Sequence, residues 1–206
     1  MSNVAEKMTQ RLVSAALIKP EDSSLYQYGL QQGLFMLLNF ITTVVVGLLF
    51  GMLWQSILFS LVYMPLRMNA GGYHARTPLR CYIFSTALIF AVLSVIRLVL
   101  YNKLICGIMA AVGAAIIFAL APVEDANKPL DEIERKVYRK RARLTLLFWM
   151  ITLLFGFALG WQAVSATIAT AVATMGVMVG AGKLIKESFE LFYLFLKYVN
   201  EKKKKA

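Results

Sequence analysis

"SSLYQYGLQQGLFMLLNFITTVVVGLLFGMLWQSILFSLVYMPL", residues 23–66, has no Asp, Glu, Lys or Arg in 44 positions. A second charge-free run of 39 residues covers Leu144–Gly182, and shorter ones cover Cys81–Ile96 and Leu104–Val123. A helix rises 1.5 Å per residue, so about 20 apolar residues cross a ~30 Å hydrocarbon core. Each long run is therefore long enough for two spans. "GMLWQS" (Gly51–Ser56) divides the first and "GWQ" (Gly160–Gln162) the second. The pattern predicts six helices at about 29–50, 53–66, 81–101, 104–122, 144–160 and 163–182. The expected class is an all-α polytopic membrane protein with six transmembrane helices. A composition 59% hydrophobic and 16% charged agrees with it.

The basic residues orient this bundle. With six spans both ends share one side, and that side collects 20 of the 22 Lys and Arg, leaving only Arg97 and Lys103 on the other. Basic loops stay cytoplasmic. Both termini and the loop around residues 67–80 are therefore expected in the cytoplasm, with the chain in a bacterial cell membrane. The net charge of +11 is explained by these membrane-flanking residues and by attraction to anionic headgroups, so nucleic acid is not an expected partner. The first 20 residues lack the basic start, apolar core and small-residue site of a cleavable signal.

The chain reads as one membrane domain over 1–206: an amphipathic helix over 1–20, the bundle over 29–182 and a basic tail over 183–206. Val4, Met8, Leu12, Ala15 and Ala16 recur at helical spacing. "ESFELFYLFLKYVN" (187–200) reads as an interfacial helix. Gly176 and Gly180 form a small-xxx-small pair that lets helices approach closely, within the bundle or across a homodimer seam. There is one His, no clustered metal ligands and no glycine-rich phosphate loop, so no metal or cofactor is expected.

The polar gap between the second and third helices, "RMNAGGYHARTPLRCYIFS" (67–85), concentrates reactive side chains. Thr77 reads as an N-cap and Pro78 as the first helical residue, which sets Cys81 one turn into the helix. The positive end of the helix, with Arg76 and Arg80 beside it, favours the nucleophilic thiolate. His74, seven residues earlier, is the matching general base for thiol catalysis. Backbone N–H groups of that first turn are candidate oxyanion donors. Gly71 and Gly72 permit close approach of a bound peptide. The competing reading makes the loop a gate and Cys81 packing, in a non-catalytic transporter or peptide exporter. Cys106 sits near the other membrane face, flanked by Ile105 and Gly107, and reads as packing; a disulfide with Cys81 is geometrically disfavoured.

Arg67-x-x-x-Gly71-Gly72-x-His74-Ala75, with Cys81 seven residues after His74 and Ser85 four later, resembles the accessory gene regulator B (AgrB) family of membrane cysteine peptidases. "APVEDANKPL" (Ala121–Leu130), the length and the six spans are also similar to that family. The resemblance implies Cys81 as nucleophile, His74 as base, and Arg67, Gly71 and Gly72 as accompanying positions. Asn69 and Ser85 are the nearest polar groups for orienting His74. The implied substrate is an AgrD-like precursor, cut through an acyl-thioester and closed into a thiolactone or lactone for quorum sensing. Arg67, Arg76, Arg80 and the basic 128–143 loop are expected to hold its acidic tail, and a homodimer is a further implied partnership.

Overall fold

A computed structural model describes residues 2–73, 77–100, 102–124 and 130–205, with side chains for 4–73, 77, 79–100, 102–124 and 130–188. Among the described residues seven α-helices follow one another: α1 (Ser2–Ser14), α2 (Ser23–Leu49), α3 (Leu53–Ala70), α4 (Pro78–Val99), α5 (Lys103–Leu120), α6 (Glu132–Ala158) and α7 (Gln162–Lys205). The expected all-α membrane class is what the chain adopts. Five helices, α2 and α4–α7, are long and apolar enough to cross a membrane. The expected short second helix is α3, whose Gln55, Ser56, Ser60, Arg67 and Asn69 keep it below that apolarity.

Several boundaries move, each for a local reason. α3 continues through Pro65 to Ala70. α6 begins at Glu132, twelve residues before the charge-free run, because Asp131 and Glu134 form a capping box: Glu134 N–H donates to Asp131 Oδ1 at 2.6 Å, and Asp131 N–H donates to Glu134 Oε2 at 3.3 Å. The basic segment after residue 131 is therefore a helix rather than a loop. α7 runs unbroken for 44 residues, about 66 Å at 1.5 Å per residue, so the expected basic tail is its continuation.

The chain divides into two compact units, Met1–Leu53 with Ala75–Phe90, and Trp54–His74 with Ala91–Ala206. In the first, α1 turns Ala5 and Thr9 inward and leaves Val4 and Met8 exposed. The amphipathic helix is present but stops at Ser14. Thr42 and Tyr82 hydroxyls share a 2.9 Å hydrogen bond between α2 and α4, and Phe50 meets Phe90 edge to face at 5.6 Å.

In the second unit the core is the α5–α7 seam. A methyl group added at Gly113 would lie 2.6 Å from the Val172 carbonyl oxygen, and one at Gly176 would lie 2.7 Å from Gly113 Cα. The glycines let two helix backbones meet where hydrophobic exclusion from lipid offers no drive. Gly180 also faces α5, with Ile116 at 3.9 Å, so this small-residue face is used inside the chain. Thr167 and Thr170 are buried in α7 and donate to the carbonyls four residues back, each at 2.8 Å, which satisfies their hydroxyls without any partner helix.

Candidate active site

The second unit holds the Arg67–Tyr73 half of the polar gap. α3 ends at Ala70, and Gly71 and Gly72 follow with φ of +71° and +109°. Side-chain-bearing residues avoid that region, so the glycines are what permit the chain to leave the helix here. The segment then runs against α7 on one side and residues 121–124 on the other. Val123 N–H donates to the Ala70 carbonyl at 2.9 Å, and Gly71 pairs with Val123 as a parallel bridge. Tyr73 N–H donates to the Met178 carbonyl at 3.0 Å. A methyl group at Gly182 would meet the Gly72 carbonyl carbon and the Tyr73 nitrogen at 2.7 Å. Thus α7 holds this segment by a backbone hydrogen bond and by the absence of a side chain.

Arg67 ties the same segment from inside. Its Nη1 donates to the Gly71 carbonyl at 3.1 Å and its Nη2 to the Tyr73 carbonyl. A planar guanidinium with two parallel donors spans both carbonyls at once; an ammonium has no such fork. Arg67 therefore acts through the backbone of residues 71–73, immediately before His74 in sequence. The 121–124 segment has its own anchor. Glu124 accepts from Arg135 of α6 and from Lys186 of α7, the latter at 3.2 Å. Burial alone would raise the Glu124 carboxyl, but hydrogen bonds and charge from Lys186 and Arg135 outweigh it and hold the group below its ordinary value.

The first unit holds the Thr77–Ser85 half. The predicted helix start is present: Arg80 N–H donates to Thr77 Oγ1 at 3.4 Å, and Cys81 N–H donates to the Thr77 carbonyl at 3.0 Å. Pro78 opens α4, where its missing N–H would have no helical partner. Cys81 is a free, half-buried thiol in the first turn. Two of the amides expected as oxyanion donors are engaged by Thr77; the remaining N–H of that turn belongs to Leu79. Ser85 follows one turn after Cys81 on the same face and is half-buried. Asn69 donates its amide to the Pro65 carbonyl at 2.7 Å, across the proline turn of α3.

His74 and Arg76 lie outside the described residues. Cys106 is free and buried, and its Sγ lies 3.4 Å from the Val99 carbonyl, as its packing role in the sequence suggested. The reading of the sequence did not find Val123, Glu124, Met178, Gly182 or Lys186 as supports of the motif. Only the Ala121–Leu130 stretch carried a signal, through its family likeness; Met178 contributes a carbonyl and Gly182 an absence, and neither has a side-chain signature.

The family model for Accessory gene regulator B matches residues 5–184. Among curated proteins, an AgrB-like protein of Clostridium perfringens is 21% identical over 180 residues, covering 82% of this chain and 84% of its own. The accessory gene regulator protein B of Staphylococcus saprophyticus is 33% identical over 119 residues, 56% of this chain and 63% of its own. An AgrB-like protein of Listeria innocua is 28% identical over 160 residues, with 75% and 78% covered. No solved structure matches.

Proposed function

Because the chain belongs to the accessory gene regulator B family, we propose that it is a membrane cysteine endopeptidase for an AgrD-type pro-peptide, with Cys81 as nucleophile and His74 as general base. Membership supports a role in quorum-sensing peptide processing, and the long apolar helices make the chain a multi-pass membrane protein. The observation that carries the finer reading is the capped start of α4, which holds a half-buried thiol in the first turn of a helix. The positive helix end stabilises the oxyanion that forms beside the sulfur.

The chemistry runs as an acyl transfer. His74 takes the thiol proton, and Cys81 sulfur attacks one backbone carbonyl of the precursor. The C–N bond breaks, the leaving amine receives the proton from His74, and the N-terminal part remains as a thioester on Cys81. A Cys or Ser within the precursor then attacks that thioester and closes the ring, which returns the Cys81 thiol. Thioester exchange is close to isoenergetic, and tethering gives the internal nucleophile an effective concentration far above that of a free competitor. Arg67 fixes the backbone that leads into His74. Arg76 and Arg80 hold the acidic tail of the precursor, on the cytoplasmic face where both termini lie.

Co-expression with the cognate precursor tests this reading. Cys81→Ala and His74→Ala each abolish cleavage with the protein still in the membrane, while Cys106→Ala cleaves normally. Cleavage at the wild-type rate by either of the first two removes the dyad assignment.

A further inference from the structure

A groove of about 500 Å³ lies between the end of α5 and the first half of α6. At one end it is lined by Lys136, Arg139, Lys140 and Arg143. Farther along the same helix face it is lined by Leu144 and Leu147, with Phe118 of α5 opposite. Positions 136, 140, 143 and 147 repeat at the 3.6-residue period, so charge gives way to apolar surface along one continuous stripe. From Lys136 to Leu147 that stripe is about 17 Å long at 1.5 Å per residue.

Three other cations on α6 and α7 are already paired. Arg135, Lys183 and Lys186 have carboxylate partners. Among the described residues, Lys136, Arg139, Lys140 and Arg143 form no ion pair. Arg143 is positioned at the change of polarity: its guanidinium sits 4.1 Å from the Phe118 ring centroid and donates to the Phe118 carbonyl at 3.3 Å. Leu144, Leu147 and Phe118 are all exposed large apolar side chains.

We propose that this groove is a binding site for an anionic phospholipid, its phosphate among Lys136, Arg139 and Lys140 and its acyl chain along Leu144, Leu147 and Phe118. Basic pockets between membrane helices favour anionic headgroups. The order of the stripe, charge first and hydrocarbon after, matches that of a lipid entering from the bilayer. An acidic peptide matches only the charged end and leaves the apolar floor uncovered. The site is distinct from the Cys81 machinery and does not depend on the peptidase reading.

The test uses the full-length protein in detergent, titrated with dioleoyl phosphatidylglycerol or dioleoyl phosphatidylcholine while thermal unfolding is followed. The glycerol lipid stabilises at a concentration at least about tenfold below the choline lipid, since each paired cation contributes roughly fivefold. The variant Lys136→Gln/Arg139→Gln/Lys140→Gln loses that preference, and Lys136→Arg/Lys140→Arg keeps it. If the triple variant does not fold, Lys140→Gln alone weakens the preference severalfold. Equal potency of the two lipids overturns the proposal, as does full preference in the charge-removed variants. A soluble glutamate decapeptide that displaces the anionic lipid also overturns it, by assigning the groove to an acidic peptide.

Discussion

The two halves of the polar gap are held in opposite ways. Residues 67–73 are fixed by distant parts of the chain: Val123 pairs with Ala70 and Gly71, Met178 accepts from Tyr73, and Gly182 makes room for Gly72. Among the described residues, 77–81 are fixed by their neighbours, through Thr77 and the first turn of α4. The proposed base therefore follows, in sequence, a backbone held by tertiary structure, and the proposed nucleophile sits on one held by local helix physics. A helix start is reproducible from four residues. A Gly-Gly pair at positive φ lets the chain leave a helix but does not by itself fix its direction, which here comes from Val123, Met178 and Gly182. Substitutions should hurt the first half more than the second.

The largest effect is expected at Arg67. Arg67→Ala leaves two half-buried carbonyls without charged donors, and such bonds contribute about 1.5–3 kcal/mol each. Arg67→Lys keeps the charge but not the fork, so it should recover little. Precursor cleavage by both variants should fall by more than about tenfold, the equivalent of roughly 1.4 kcal/mol, with membrane levels maintained. Near-normal cleavage by Arg67→Lys would show that charge alone suffices and that the fork is dispensable.

Gly182→Val comes next. Its side chain meets backbone atoms of Gly72 and Tyr73, which cannot swing aside as a flexible side chain would. Overpacking of this kind costs about 1–3 kcal/mol. Gly180→Ala, with one contact at 3.9 Å, is the matched control and should process precursor normally. Equal damage from both would point to α7 packing in general rather than to the Gly72 contact.

A smaller effect is expected at Glu124. Its partners Arg135 and Lys186 are 49% and 46% exposed, so solvent screening limits each pair to about 0.2–1 kcal/mol. Because its carboxyl titrates below the ordinary value in the folded chain, its contribution is present above the unfolded glutamate value of about 4.3. It is lost as the pH falls through and below that value. Wild type should therefore lose stability on acidification more steeply than Glu124→Gln in a pH series of thermal melts; parallel curves would remove the clasp from the list of supports.

Thr77→Ala should do least. Loss of an N-cap costs about 0.5–2 kcal/mol, and the 3.4 Å bond to Arg80 puts this cap at the weak end. Thr77→Ser should be neutral, and Thr77→Ala should slow cleavage only a few-fold. A loss as deep as that from Arg67→Ala would mean that the helix start, too, depends on more than its own residues.

What the sequence disclosed follows the same division. The spans were readable because charge-free runs have a length scale set by the bilayer, and the start of α4 was readable because Thr-Pro is a local signal. The early start of α6 was missed because its Lys and Arg residues looked like a solvated loop, although Asp131 and Glu134 form the capping pair D-x-x-E. The scaffold around Gly72 was hidden for a deeper reason. It is built from a carbonyl at Met178, an amide at Val123 and a missing side chain at Gly182, and backbone groups carry no residue-type signature. Gly176 was noticed for its spacing, but only the fold assigns it to Gly113 of α5.

The most direct test of Cys81 as nucleophile is intact-mass measurement of the full-length protein after brief exposure to its precursor. The expected result is one adduct equal to the precursor's N-terminal part, mapped to Cys81, released by hydroxylamine and missing from Cys81→Ala. An adduct on Cys106, or precursor cleaved at a normal rate by Cys81→Ala, would contradict it.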